Sequence, residues 1–287
     1  MTESISNDGK IDPVCGMDLI ELPGLAKSSY LGKTFFFCGD KCLERFQNNP
    51  EKFQKAPLIK LSKVQKVFKI GEVETRALNG FDLHIWEGDF VVIIGASGSG
   101  KSTVLNMIGM LDQPTSGAIF LRGQNIALLD DEARAEMRSK TFGFVFQQYN
   151  LIPWLAADEN VALPAIFAGK KIKEGELESR FQEIGLKERM RHRSFELSGG
   201  EQQRTALLRA LINDPEIILG DEPTGNLDST TGNKILEMLI NLNKNYGKTL
   251  VVVTHDADIA NKSDQIIVVK DGRAVRDHRV HKKIYTE

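Results

Sequence analysis

Gly95-Ala96-Ser97-Gly98-Ser99-Gly100-Lys101-Ser102-Thr103 follows the apolar run from Phe90 to Ile94 and precedes Val104, Leu105 and Ile108, spaced as on one face of a helix. A glycine loop between a buried strand and a helix is the setting in which this pattern binds phosphate. Glycines let the backbone turn tightly enough for successive N–H groups to face one anion. The helix behind them adds its positive end. In that chemistry Lys101 reaches the β- and γ-phosphates of a nucleotide, and Ser102 ligates Mg²⁺. A glycine turn alone is a weak signal; Lys101, Ser102 and Thr103 make it a strong one.

Outward from the loop, β-rich runs (Val91 to Ile94, Ile217 to Leu219, Leu250 to Val253, Ile266 to Val269) alternate with longer amphipathic stretches. That alternation reads as an α/β fold, a phosphate-loop NTPase core with a mixed, largely parallel sheet flanked by helices. Between about residues 150 and 196 the strand-like runs stop, and charges at Lys170, Lys171, Lys173, Glu174, Glu176 and Glu178 mark an inserted helical subdomain. The apolar run before Gly220 ends in Asp221 and Glu222. Two carboxylates at a strand end suit phosphoryl transfer, Asp221 in the Mg²⁺ shell and Glu222 to orient and deprotonate the attacking water. The tail after Arg273 is polar and is expected to be peripheral.

Bulk properties narrow the setting. Hydrophobic residues make up 41% and charged residues 26%, and the net charge of -2 gives no basic surface for nucleic acid. Lys60, Lys63, Lys66 and Lys69 recur every third residue, which reads as a solvated edge strand. No basic segment followed by an apolar stretch opens the chain, so no secretory signal is expected. The apolar runs are strand-length, against about 20 residues for a membrane span, so any membrane-crossing part is expected on another chain.

Leu197-Ser198-Gly199-Gly200-Glu201-Gln202-Gln203-Arg204 opens a helix through Leu207, Leu208 and Leu211. Here the chain resembles the ABC ATPase family, over about residues 58 to 275. The resemblance implies that Ser198, Gly199 and Gly200 bind the nucleotide held by a second copy, so that two sites form in a head-to-tail homodimer. It implies further roles: Gln147 senses Mg²⁺ and faces the membrane partner, Asn226-Leu227-Asp228 couples the two sites, His255 is the switch on the γ-phosphate, and Phe68 stacks on adenine. Family members commonly carry Tyr at that last position; stacking needs only a ring face. Phe142 to Gln147, Asp158 to Ala165 and Gly220 to Asp228 resemble the lipoprotein-release and macrolide-export branch, in which the ATPase drives a separate permease.

Cys15, Cys38 and Cys42 all lie in the first 57 residues, and an odd count in a reducing compartment argues against disulfides. Asp12-Pro-Val-Cys15-Gly-Met17, Phe36-Phe-Cys38, and Cys42 followed by Phe46 and Asn49-Pro-Glu51 resemble the YHS-type domain, a metal-associated family. Three thiolates suit Cu⁺, a fourth ligand would suit Zn²⁺, and Met17 is a soft candidate. Buried structural cysteines are the alternative. A helix-like stretch through Leu43, Phe46 and Phe53, with Asp40 as N-cap, leads to a boundary at Lys55, Ala56 and Pro57, giving domains 1–57 and 58–287.

The expected function is an ATP-hydrolysing subunit, peripheral on the cytoplasmic face of the membrane, that powers a permease. A metal-responsive ATPase acting on a soluble complex is the rival reading.

Overall fold

The computed structural model describes residues 11–20, 22 and 24–275, so the tail beyond residue 275 lies outside the described residues. The chain divides into two compact bodies. One holds the described residues up to 87 with 94–129 and 265–275, the other residues 88–93 and 130–264.

In the second body, residues 90–93 of the strand Phe90–Ile94, then Thr249–Val253, Ile217–Asp221 and Phe142–Phe146, lie side by side and parallel. Thr249–Val253 is buried at every position, and Ile217–Asp221 at every position but the last. Unbroken apolar runs of this kind suit strands covered on both faces. The helices Gly199–Leu211 and Ser229–Tyr246 belong to the same body. Between residues 150 and 196 the regular elements are Ala157–Phe167, Glu176–Glu183 and two 3-10 turns, Lys187–Arg189 and Ser194–Glu196. Val161, Ala165, Phe181, Leu186, Leu197 and Ile212 are among the residues of their shared core.

The first body carries an antiparallel sheet in the order Val73–Ile85, Ile59–Ile70, Ser116–Leu121, Gln124–Asn125. The lysine-bearing strand Ile59–Ile70 therefore pairs on both sides and is not the edge strand its charges suggested. Register shifts after Leu61 and a left-handed Lys63 (φ 49°) also interrupt the strand's regular pleat, so a three-residue charge spacing does not report one exposed edge.

The cysteine-bearing segment opens with a hairpin, Ala26–Tyr30 and Lys33–Phe37, turned by Leu31 and Gly32 with φ of 49° and 76°. The following helix is shorter than expected. It runs Asp40–Asn48, and Phe53 sits in a separate 3-10 turn, Lys52–Gln54, because Pro50 disfavours helix at Asn49. Extended Gly39 is the N-cap and Asp40 the first helical residue, so Asp40 acts by its charge at the positive helix end and not as a cap. Val14, Phe35, Phe37, Phe46 and Phe53 form a core completed by Trp86, which lies well beyond the sequence boundary at residues 55–57.

Phe181 is fully buried in the helical core. Phe181→Ala is expected to lower the unfolding free energy by about 3–5 kcal/mol, read by denaturant titration; a loss under about 1 kcal/mol would mean that the segment packs otherwise.

Candidate functional site

In the first body, the loop at residues 95–100 ends in Gly100, the N-cap of the helix Lys101–Ile108. Gly100 has φ +109°, and a Cβ there would lie 2.6 Å from the Ala77 carbonyl oxygen, so no larger residue fits. Lys101 is buried, and its ammonium donates to the Gly95 and Ala96 carbonyls, both at 2.9 Å. Those bonds aim the charge back over the loop. Ala96, Ser97, Gly98 and Ser102 are exposed, Gly95 and Thr103 half-buried, and the buried Ser99 hydroxyl has no partner. A cradle of backbone N–H groups at a helix start, with a buried ammonium and an orphaned hydroxyl, fits the phosphates of a nucleotide. Phe68 lies on the strand Ile59–Ile70, 41% exposed, with the Lys66 ammonium 5.0 Å from its ring centre. A ring this exposed fits a stacking partner.

In the second body, parallel register brings four strand ends level. Asp221 pairs with both Val253 and Phe146, and Val253 with Ile93. The residues just past those ends, Glu222, Gln147 and Thr254-His255, therefore leave the sheet on one edge, where ligands of such sheets bind. Glu222 is left-handed (φ 47°), its N–H bonded to Val253 O at 2.9 Å. Its Oε1 lies 2.9 Å from His255 Nε2. Gln147 Nε2 donates to Asn226 Oδ1 at 3.3 Å, and Asn226 Nδ2 donates to Gln147 O at 2.9 Å. The loops carrying Gln147 and Asp228 are thus joined directly.

Ser198 caps the helix Gly199–Leu211 by accepting the Glu201 N–H, while Glu201 accepts the Ser198 N–H at 2.8 Å and its hydroxyl at 2.9 Å. The Ser198 N–H, chiefly, holds the Glu201 carboxyl below its usual range. Asp228 caps Ser229–Tyr246 by accepting the Thr231 N–H at 3.0 Å. Ser198, Gly199, Gly200, Arg204, Asp228 and Thr231 line one 480 Å³ groove, which places two helix N-termini and a guanidinium around one space.

Two residues escaped the sequence reading here. Tyr149 and Asn150, just after Gln147, are both left-handed (φ 60° and 50°), and Arg209 donates to both of their carbonyls. Only main-chain conformation shows this, and the sequence carries no signal of it.

In the cysteine segment, the Cys15 and Cys42 sulfurs each lie 3.6 Å from Cys38 Sγ. No disulfide joins them. One carboxylate oxygen of Asp12 belongs to the same group, all of whose ligand atoms lie within 4.8 Å of one another. Sulfurs arranged tetrahedrally at about 2.3 Å from Zn²⁺ stand about 3.8 Å apart, so the spacing fits a thiophilic ion. Asp12, missed from sequence, is fully buried; it accepts the N–H groups of Val14 (2.8 Å), Cys15 (3.3 Å) and Cys38 (2.6 Å). Burial, then the neighbouring Cys38, pushes its carboxyl up to about 8. Hydrogen bonding with Cys38, then with Cys42, raises the Cys15 thiol well above its usual range. The Met17 carbonyl accepts the Asp12 N–H at 2.8 Å, and Met17 also lines a separate cavity with Asp18 and Lys63.

Residues 78–225 match the family model described as ABC transporter, and residues 10–56 match the YHS domain model. An uncharacterized ABC transporter ATP-binding protein of Methanocaldococcus jannaschii is 48% identical over 78% of this chain and 97% of its own length. A macrolide export ATP-binding/permease protein of Hyphomonas neptunium is 45% identical over 77% of this chain, which spans only 34% of that relative's length. The dimeric post-hydrolysis structure of an ATP-binding cassette bound to ADP and Pi matches at TM-score 0.72 and 47% identity, over 76% of this chain and 97% of that one. The α/β class with a phosphate-loop NTPase core agrees with that neighbour. The chain belongs to the ABC transporter family, as an ABC-type ATPase with a YHS domain ahead of its cassette.

Proposed function

We propose that two copies of this chain each bind Mg·ATP, close head to tail, and hydrolyse it to power a separate transmembrane permease from the cytoplasmic face of the membrane, for export or mechanical work. The observation that carries this reading is Glu222: a carboxylate at the edge where four parallel strands end, held left-handed by Val253 and 2.9 Å from His255. A dimeric cassette bound to ADP and Pi, at 47% identity, supports both the chemistry and the homodimer.

Residues 95–103 are assigned to the phosphates, with Lys101 as the cation for the β- and γ-groups. Ser102, Asp221 and Gln147 would hold Mg²⁺, which when bound offsets the phosphate charge. Glu222 orients the attacking water and takes its proton, and His255, already bonded to that carboxylate, contacts the terminal phosphate. Phe68 stacks on adenine. Ser198, Gly199, Gly200 and Asp228 meet the second copy's nucleotide, which the groove at two helix N-termini favours. No helix among the described residues is long and apolar enough to cross a membrane. We further assign residues 1–57 to a metal-binding domain in which Cys15, Cys38 and Cys42 hold Cu⁺ or Zn²⁺, and residues 58–287 to the ATPase. The sulfur spacing supports that metal reading.

Glu222→Gln is expected to lower kcat by about 10²–10⁴ while ATP still binds, and an ATP-dependent dimer should accumulate on size exclusion. Turnover at the parent rate would remove Glu222 from the role of base. Lys101→Ala should abolish binding of a fluorescent ATP analogue, whereas Ser198→Ala should bind it and fail to release phosphate. Tagged Glu222→Gln recovered from membranes with Mg·ATP should bring a multi-span protein with it by mass spectrometry; recovery of soluble partners alone would favour the regulatory ATPase.

A further inference from the structure

The cysteine pocket is fastened to a strand of the ATPase cassette. The His84 N–H donates to Cys15 O at 2.8 Å, and Trp86 Nε1 donates to Val14 O at 2.7 Å. A Cβ at Gly16 would lie 2.7 Å from the His84 backbone nitrogen, so the thiol-bearing loop rests directly on this strand. His84 is near the end of Val73–Ile85, and Trp86 follows it.

The middle of the same strand holds the nucleotide loop. The Asn79 N–H donates to Gly272 O at 2.9 Å, and the Gly272 N–H donates to Ser99 O at 3.0 Å. The Ala77 carbonyl and the Leu78 side chain lie against Gly100, closely enough to exclude a Cβ there. From Asn79 to His84 is about 17 Å of extended chain at about 3.4 Å per residue. Val73–Ile85 is laddered to Ile59–Ile70 over nearly its whole length, with register shifts opposite residues 76–83, so pairing with one neighbouring strand ties its thiol-side end and its loop-side middle together.

We propose that a thiophilic d¹⁰ cation, Cu⁺ or Zn²⁺, held by Cys15, Cys38 and Cys42 regulates nucleotide binding at residues 95–103 through the strand Val73–Ile85. The proposal rests on the metal reading of the cysteine pocket. Metal binding ties residues 15, 38 and 42 together and stiffens the loop that His84 and Trp86 hold. Two ligands that stiffen one shared element favour each other, and linkage makes the effect reciprocal.

The test uses the full chain, stripped of metal anaerobically, with a fluorescent ADP analogue and no Mg²⁺. One equivalent of Cu⁺, and separately of Zn²⁺, is expected to tighten the nucleotide Kd by about five-fold or more, and ADP is expected to tighten the metal Kd by the same factor in chelator competition. Metal bound at one per chain with both constants unmoved overturns the coupling. Absence of metal binding overturns the reading beneath it, a different and separable result. Trp86→Phe keeps a ring in the core but drops the bond to Val14; it should still bind metal with a smaller shift, and an undiminished shift overturns the assigned route.

Discussion

Everything chemical in the second body depends on the register of its parallel strands. Ile93, Val253, Asp221 and Phe146 stand level because consecutive strands pair residue for residue along their length. A slip of one residue would turn Asp221 toward the opposite face and carry Gln147 and His255 away from the edge. With both faces apolar, what opposes the slip is the end of each run: a shifted pairing would draw the polar groups at and past Asp221 toward the core or push a buried apolar residue out of it. The edge then concentrates polar groups where the apolar runs end, so Glu222, Gln147 and His255 owe their placement to the core beneath them.

A second constraint runs through the helix starts. Gly100, Ser198 and Asp228 are all N-caps, and at each the helix turns its first-turn N–H groups outward. Ser198 and Asp228 already accept N–H groups of their own helices, and the Ser198 hydroxyl also donates to Glu201. A cap contributes about 0.5–2 kcal/mol, so these side chains are fixed in direction before any ligand arrives. The cost is that a phosphate reaching Ser198 must share or displace Glu201, whose carboxylate occupies the same hydroxyl. Under the proposed assignment the signature segment has two alternative partners of like charge, the Glu201 carboxylate and a nucleotide phosphate.

How much of this was legible depended on whether the signal was local. Loop, carboxylate pair and signature are contiguous motifs, and the α/β alternation is a periodicity; all can be read along the chain. The edge-strand reading of Lys60 to Lys69 failed because charge spacing says nothing of pairing partners, and Ile59–Ile70 has one on each side. The helix through Phe53 was overextended although Pro50 stood in plain view. Asp12 was passed over because an acid near Pro13 reads as an ordinary turn, and its three N–H partners include Cys38, distant in sequence. The bonds from Arg209 to Tyr149 and Asn150 join residues about sixty apart, which no local pattern encodes.

The boundary near residue 57 marks a change of composition, and the packing does not stop there. The YHS match ends at residue 56, yet the core of Val14, Phe35, Phe37, Phe46 and Phe53 takes its sixth wall from Trp86, whose indole also binds the Val14 carbonyl. A segment of this size buries too little apolar surface to be comfortably stable alone. Borrowing an indole from the next domain supplies part of the deficit, and the proposed ion, drawing three thiols together, would supply another. Both devices act on residues 12–17, the stretch that carries Cys15 and rests on His84. Stability of the small domain and its grip on the cassette are therefore set by the same contacts, so a change at the thiols that altered one would alter the other.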